Sequence, residues 1–109
     1  MTELLNDKCE ACNNLTPKLS PAQAHDLLGQ LKEWTIIEDH HLTKRWEFKN
    51  FAKPLKLVNA IAELAEREGH HPNISFGWGY LEIKIWTHVI DGLSKNDFIL
   101  ATKIDNLIQ

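Results

Sequence analysis

Residues 50–69, NFAKPLKLVNAIAELAEREG, carry the strongest helical pattern in the chain and decide its fold. Apolar residues recur there at intervals of three and four, which is the period of an α-helix. They form two adjacent stripes, one of Phe51, Leu55, Val58, Ala62 and Ala65 and the other of Leu57, Ile61 and Leu64. Because the stripes cover about half of the helix circumference, we expect this helix to pack closely on a sheet. Pro54 falls in its first turn and Gly69 follows its last, as expected at helix ends.

Strand patterns lie on both sides of this helix, in two pairs. Residues 34–48 contain a β-rich run, the polar turn EDHH and a run of alternating apolar and polar residues, which predict a hairpin. Residues 73–86 alternate in the same way and predict a second hairpin. A helix is expected over 20–31, and another near Ser94, where the S-x-x-D spacing of a helix start occurs. The order α-β-β-α-β-β-α predicts an α+β fold, with a four-stranded antiparallel sheet and helices packed on one face.

The length and charge of the chain limit its organisation and its partners. A chain of 109 residues fits one domain, which we place at residues 20–109, after a flexible N-terminal arm at residues 1–19. A net charge of −3 provides no basic surface for nucleic acid. The chain has neither an apolar run of about 18 residues, as a membrane span needs, nor a secretory signal. We therefore predict a cytoplasmic protein that binds neither nucleic acid nor membrane.

The cysteines of the chain, Cys9 and Cys12, form a single C-x-x-C pair in the predicted arm. A structural zinc site needs a second pair of ligands, and no further pair of cysteines or histidines occurs at finger spacing. The polar flanks also lack the strand and helix that accompany a thioredoxin-like dithiol. We interpret the pair as reduced thiols without a dedicated role.

Histidines mark the predicted functional site. His70 and His71 follow the end of the central helix, directly before Pro72, and His88 follows the last strand. One layer of sheet and helix can bring these ends together, and imidazoles donate and accept protons near neutral pH. Glu66, one helical turn before His70, could orient an imidazole. Strand alternation places His88 on the face away from the helices, so the site is expected at the rim of the sheet.

Simpler interpretations of these residues remain open. His70 and His71 would also suit a helix C-terminus, where a cationic imidazole complements the helix dipole. The histidines could instead hold zinc or iron. Asp97 has the position of a capping-box acid rather than of a catalyst, and His40 and His41 are expected to be solvated in a hairpin turn. The tryptophans are expected mostly in the core, although one could wall a flat heterocycle.

Several short motifs in register resemble the pterin-4a-carbinolamine dehydratase family. They are Glu66-x-x-x-His70-His71-Pro72, then Thr87-His88, and then Gly92-Leu93-Ser94-x-x-Asp97. Trp34 and the FKNF run at residues 48–51 also fall where the pattern of this family has them. The resemblance covers about residues 19–107 and leaves only the N-terminal arm outside.

The resemblance implies both a fold and a reaction. The implied fold is an antiparallel sheet of four strands with helices on one face, as predicted above from the residue pattern. The implied reaction is the dehydration of 4a-hydroxytetrahydropterin to quinonoid dihydropterin, which recycles the pterin cofactor after aromatic amino-acid hydroxylation. Neither a metal nor an organic cofactor is implied. The substrate is a pterin, and functional coupling to an aromatic amino-acid hydroxylase is expected.

The resemblance also implies roles for the site residues. His70 becomes the main acid–base residue and His88 the second proton-transfer group, while His71 positions the substrate. A second set binds or orients the substrate and consists of Glu66, Pro72, Trp34 and Asp97. Since an exposed sheet edge favours self-association, we expect a homodimer or homotetramer. The alternative functions are a dimerisation or regulatory module on the same fold and a histidine-based metal enzyme.

Overall fold

The computed structural model describes residues 3–10 and 12–108. Residues 1, 2, 11 and 109 belong to the predicted arm and to the end of the predicted domain, and they lie outside the described residues. The elements are α1 (Glu3–Asn6), α2 (Pro21–Leu28), β1 (Thr35–Ile37), β2 (His41–Glu47), α3 (Ala52–Glu68), β3 (Asn73–Gly77), β4 (Tyr80–Ile85), a 3₁₀ helix (His88–Ile90) and α4 (Lys95–Ile108). The predicted α+β order is confirmed, with α1 added in the N-terminal segment. Among the described residues, no helix combines the length and the apolar character needed to cross a membrane.

The strands form one antiparallel sheet of four strands in the order β1-β2-β4-β3. The two predicted hairpins are joined through β2 and β4, where Leu42 lies opposite Ile85 and Trp46 opposite Leu81. Apolar residues of β4 that alternate along the strand are fully buried, namely Leu81, Ile83 and Ile85. Lys84 between them is exposed. This alternation buries one face of the sheet under the helices, as predicted.

Only part of the apolar surface of α3 is buried. The buried residues are Pro54, Leu57, Ile61, Leu64 and Ala65. By contrast, Phe51 and Leu55 of the other stripe are 46% and 41% exposed. The reason is that α3 contacts α4 and the edge of the sheet at β3 and β4, so its outer side faces solvent. The expectation that both stripes pack closely is therefore wrong for the outer stripe, in which Ala62 is also exposed.

Local hydrogen bonds explain where the helices begin and end. Ser20 and Gln23 form a reciprocal capping box at the start of α2, through bonds of 3.2 and 2.9 Å. At the end of α3, Gly69 adopts a left-handed conformation with φ 67°, and its N–H donates to the Ala65 carbonyl at 2.9 Å. Glycine tolerates this conformation because it has no Cβ. The turn at Gly69 ends the helix directly before His70.

The described part of the N-terminal segment packs against the domain. Leu4 is buried in the core. The Cys9 N–H donates to Glu68 Oε1 at 2.9 Å, at the end of α3. Asn96 in α4 bonds both the N–H and the carbonyl of Glu10, at 3.0 and 2.7 Å. The sequence predicted a flexible arm at residues 1–19, and its described part contacts the domain through buried Leu4 and through hydrogen bonds to Glu68 and Asn96.

Candidate functional site

The turn after α3 directs His70 into the protein, where its side chain meets Asp97 in the first turn of α4. His70 is 6% exposed and Asp97 is fully buried. The distance between His70 Nε2 and Asp97 Oδ1 is 2.6 Å. Because a carboxylate only accepts hydrogen bonds, this contact places the ring proton on Nε2. The Nδ1 lone pair of a neutral His70 can then accept a proton on the other side of the ring, where Cys12 Sγ lies 3.8 Å away.

The second oxygen of Asp97 holds the carboxylate in place. Asp97 Oδ2 accepts the Ser94 N–H at 2.9 Å and the Thr87 hydroxyl at 2.9 Å. Ser94 Oγ lies 2.7 Å from Thr87 Oγ1 and completes the network. The bond to Ser94 is the backbone bond of a capping box, as the spacing predicted. Asp97 is thus a capping acid and also the partner of His70, which the spacing alone did not indicate.

His71 points the other way, because neighbouring side chains diverge on this backbone. Its Nε2 lies 2.6 Å from Glu66 Oε2, one turn earlier in α3. Both side chains are largely exposed, and exposed pairs of this kind contribute only about 0–1 kcal/mol to stability. The contact therefore orients the imidazole more than it stabilises the fold. The structure brings Glu66 to His71 and not to His70.

His88 lies at the rim of the sheet, just beyond β4. The strand alternation continues past Ile85, so that Thr87 is buried while Trp86 and His88 share the other side. The rings of Trp86 and His88 stack, with centroids 4.4 Å apart and planes at 16°. This position agrees with the alternation expected from the sequence. The 3₁₀ helix that starts at His88 then turns the chain back toward α4.

The three histidines line a single cavity of about 430 Å³ between the end of α3 and the end of β4, which we call the histidine cavity. Its other lining residues are Cys12, Gly69, Pro72, Asn73, Trp86, Thr87 and Val89. The volume lies within the range of about 300–1,000 Å³ that is usual for small-molecule sites. Two larger cavities, of about 860 and 830 Å³, lie beside Asp105 and beneath the N-terminal segment. We favour the histidine cavity because it combines several proton-transfer groups with an aromatic wall.

The tryptophan expected at the site is not the one found there. Trp34 is buried, its indole N–H donates to Asp105 Oδ2 at 2.9 Å, and its ring meets the edge of Trp46. It does not line the histidine cavity, whereas Trp86 does. Trp78 is 70% exposed and lies in the second hairpin turn, against the expectation of a core residue.

His40 and His41 are closer to the site than predicted. Both rings contact Trp86, with centroid distances of 5.1 and 5.8 Å. His40 Nε2 bonds Asp91 Oδ1 at 2.8 Å, and the two Nδ1 atoms of the pair are 3.0 Å apart. Burial, followed by the charge of His40, lowers the pKa of His41. The expectation that both are solvated is wrong, because the hairpin turn folds over Trp86.

Charged groups beneath the N-terminal segment are also tightly arranged. Burial first, and then the charge of Glu68, raises the pKa of the Cys9 thiol to about 12. Burial opposes the ionisation of Glu68, yet bonds from the Lys103 ammonium and the Cys9 N–H outweigh it and lower the pKa of Glu68. The Lys103 Nζ atom lies 2.7 Å from Glu68 Oε2. A charged pair thus anchors the segment at the end of α3.

Metal binding was the third functional alternative. Within residues 3–10 and 12–108, no three His, Cys, Asp or Glu side chains are grouped in a way that could hold a metal ion. The Nε2 atoms of His70 and His71 each face a carboxylate at 2.6 Å. The site therefore presents two His–carboxylate pairs.

Solved structures support the fold. A transcriptional coactivator/pterin dehydratase from Brucella melitensis aligns with a TM-score of 0.80 over 85% of this chain and 100% of the other, at 21% identity. A pterin dehydratase-like protein described as a RuBisCO assembly factor of the alpha-carboxysome aligns with a TM-score of 0.60, at 28% identity. It is matched over 71% of this chain and 90% of its own. The first likeness supports the architecture alone.

Sequence comparison identifies the family. The model for Pterin 4 alpha carbinolamine dehydratase matches residues 17–107. A Rubrobacter xylanophilus protein, provisionally named pterin-4-alpha-carbinolamine dehydratase, is 43% identical over 98% of this chain and all of its own. A Rickettsia canadensis protein of the same provisional name is 46% identical over 99% of this chain and all of its own. The resemblance to a family of hydro-lyases is confirmed, and the chain belongs to the pterin 4 alpha carbinolamine dehydratase family.

Proposed function

We propose that this protein dehydrates 4a-hydroxytetrahydropterin to quinonoid dihydropterin and water by acid–base catalysis with histidines. The family match and the names of its relatives support the reaction class. The observation that carries the proposal is that His70, His71 and His88 line one cavity, with His70 fixed on a buried carboxylate.

The reaction needs little more than well-placed proton-transfer groups. The hydroxyl on C4a leaves as water once it is protonated. The N5 lone pair forms the new double bond as the C–O bond breaks, and N5 then releases its proton. A general acid and a general base each contribute about 10²–10⁴-fold in rate. Imidazoles suit both tasks, because they titrate near neutral pH.

His70 is the main acid–base residue in this proposal. With Nε2–H bonded to Asp97, its Nδ1 atom exchanges the proton with the substrate. The imidazolium that forms then lies 2.6 Å from Asp97 Oδ1, which stabilises its charge. A buried carboxylate behind a histidine thus fixes the tautomer and supports the cation.

The other residues of the cavity have complementary roles. His88 is the second proton-transfer group, and its stacking on Trp86 orients the imidazole. His71, held by Glu66, positions the substrate. Pro72 lines the same wall. A flat pterin ring would contact the aromatic wall that the stacked rings of Trp86 and His88 form.

The test is a dehydratase assay with 4a-hydroxytetrahydropterin generated in situ and followed by its absorbance. We expect the protein to accelerate loss of the signal above the uncatalysed rate, with and without EDTA, since protein groups supply the proton transfers. Activity that EDTA abolishes and a stoichiometric metal restores would favour the metal-enzyme alternative. A rate equal to that of the buffer would contradict the proposal.

The physiological setting is also a proposal. We place the protein in the cytoplasm, upstream of pterin reduction and coupled to an aromatic amino-acid hydroxylase that produces its substrate. We also propose a homodimer or homotetramer, because β3 is an edge strand and because Phe51 and Leu55 expose apolar surface at the start of α3. Light scattering at micromolar concentration tests this, and the mass of a single chain would contradict it.

A binding role on the same fold is the second candidate. The structural neighbour described as a RuBisCO assembly factor favours it, since that protein has a pterin dehydratase-like fold and an assembly function. The two candidates differ in their dependence on the histidines. A variant that lacks His70, His71 and His88 loses all turnover if the protein is the proposed dehydratase. Turnover unchanged in that variant leaves only the binding role.

A further inference from the structure

A cysteine from the N-terminal segment completes a line of three side chains in the histidine cavity. Cys12 Sγ lies 3.8 Å from His70 Nδ1, on the opposite side of the ring from Asp97. The order thiol, imidazole, carboxylate is the arrangement in which a nucleophile meets a base that a third group orients. The proposed dehydration assigns no role to this thiol.

The position of Cys12 follows from Asn96, which is buried at the start of α4. Two hydrogen bonds join Asn96 to the backbone of Glu10, at 3.0 and 2.7 Å. Asn96 Nδ2 also donates to Cys12 Sγ at 3.1 Å. The sulfur therefore faces both a donor and a base, while Cys12 remains partly exposed and lines the cavity.

We propose that Cys12 is the nucleophile of a Cys12–His70–Asp97 relay and a modification site for small soft electrophiles that enter the histidine cavity. Alkyl halides and α,β-unsaturated carbonyl compounds are the chemical classes that such a thiol takes. Cys9, only three positions earlier, is an internal comparison, because its thiol is partly buried and has its pKa raised to about 12.

The covalent step with an alkyl halide is a substitution at carbon. The Cys12 thiol gives its proton to His70 Nδ1 while sulfur attacks carbon. The S–C bond forms, the carbon–halogen bond breaks and halide leaves. Asp97 stabilises the resulting imidazolium of His70. The thioether then occupies the cavity and blocks the substrate, a consequence that rests on the proposed function, whereas the alkylation itself does not.

Iodoacetamide is the probe, applied to the full chain at pH 6.5. An ordinary thiol, with a pKa of about 8.5, is only about 1% ionised there. We expect Cys12 to be alkylated at least about tenfold faster than glutathione under the same conditions, and Cys9 more slowly than either. Both cysteines lie between Lys8 and Lys18, so fragment ions of that tryptic peptide must assign the label. Alkylation of Cys12 at the rate of glutathione or below would overturn the proposal.

Variants test the relay itself. His70→Gln keeps an N–H donor near Asp97 but supplies an amide that cannot take the thiol proton, so labelling should slow by about tenfold. His25→Ala is the matched control, because His25 is exposed on α2 and does not line the cavity, and its labelling rate should equal that of the native chain. Circular dichroism checks that both variants fold. If His70→Gln were labelled at the native rate, His70 would not be the base that accepts the thiol proton, and the proposed relay would be contradicted.

Activity gives a separate readout. In the native chain, loss of dehydratase turnover should follow labelling one to one, and the turnover of Cys12→Ser should resist iodoacetamide. If labelling is fast and specific but no variant shows turnover, the proposed function fails while the reactive thiol stands. Turnover that survives complete labelling of Cys12 would contradict the claim that the adduct blocks the site.

Discussion

His70 Nε2 lies 2.6 Å from Asp97 Oδ1, and both side chains are buried at the junction of the end of α3 and the start of α4. Two residues 27 positions apart thus form one unit. Burying a charged or polar pair costs desolvation energy, which the bonds from Thr87 and Ser94 to the same carboxylate offset. Such a network is expected where an imidazole must keep one tautomer and one orientation.

Replacing His70 should therefore remove most of the catalysis. We expect His70→Ala to lower the dehydratase kcat by about 10²–10⁴-fold, because one acid–base group contributes that much. His25→Ala is the matched control, since His25 is exposed on α2 and does not line the cavity. Stopped-flow absorbance gives the rates. Equal turnover in the two variants would show that His70 does not transfer the proton.

Asp97 should act through His70. Asp97→Asn keeps the shape of the side chain but removes the charge that stabilises the imidazolium, so kcat should fall by about 10²-fold or more. Asp105→Asn provides the control, because Asp105 is also hydrogen-bonded but to Trp34 and Lys44, away from the site. The pH–rate profile separates this role from a structural one, because removing the carboxylate behind His70 should change the profile, whereas Asp105→Asn should keep the native one. If Asp97→Asn lowered only the stability of the protein and kept the native pH–rate profile, the claim that Asp97 acts through His70 would be contradicted.

Trp86 should matter more for substrate binding than for proton transfer. We expect Trp86→Leu to raise KM by about tenfold, since the loss of one stacked aromatic pair costs about 0.5–1.5 kcal/mol beyond the lost area. The measurement is KM and kcat from initial rates over a range of pterin concentrations. Trp78→Leu is the control, because Trp78 is exposed in a hairpin turn. If Trp86→Leu changed kcat but left KM unaltered, Trp86 would not form the surface on which the pterin ring binds.

Glu68 should make stability depend on pH in acid. Its folded pKa is lowered despite burial, by the bonds from Lys103 and the Cys9 N–H. The contribution is therefore complete above the unfolded pKa, about 4.3, and disappears as pH falls through the folded value. Glu68→Gln should reduce the free energy of unfolding at pH 7 by about 1–3 kcal/mol. This difference between the variant and the native chain should vanish at a pH below the folded pKa of Glu68, where the carboxyl is protonated.

Urea unfolding at several pH values measures this effect. Glu63→Gln, on an exposed position of the same helix, should change stability little at any pH. A stability difference for Glu68→Gln that persists unchanged in strong acid would show that the ion pair with Lys103 is not its source.

The fold could largely be predicted because its pattern is local. The intervals of three and four along α3 and the alternation in β4 show directly in the sequence, and the structure has both elements. The burial of Leu57 rather than Leu55 could not be predicted, since it depends on which side of α3 meets the sheet. The periodicity of the sequence shows which residues of α3 form an apolar surface. Which part of that surface is buried depends on how the helix packs on the rest of the protein.

The site could be predicted only in part, for the same reason. The His-His-Pro motif contains His70 and His71 of the cavity, and His88 follows the last strand. Strand alternation puts Trp86 on the same side as His88, so its place in the cavity could have been predicted from the sequence. No sequence pattern places Cys12 in the cavity, because its approach to His70 depends on the hydrogen bonds that Asn96 makes with Glu10.

The most direct test of the proposed chemistry is a crystal structure of the protein with a bound dihydropterin. We predict that the ring lies in the histidine cavity, packed near Trp86, with His70 Nδ1 and the His88 imidazole within hydrogen-bond distance of its C4a–N5 edge. A ring bound in the larger cavity beside Asp105, beyond the reach of either imidazole, would contradict it.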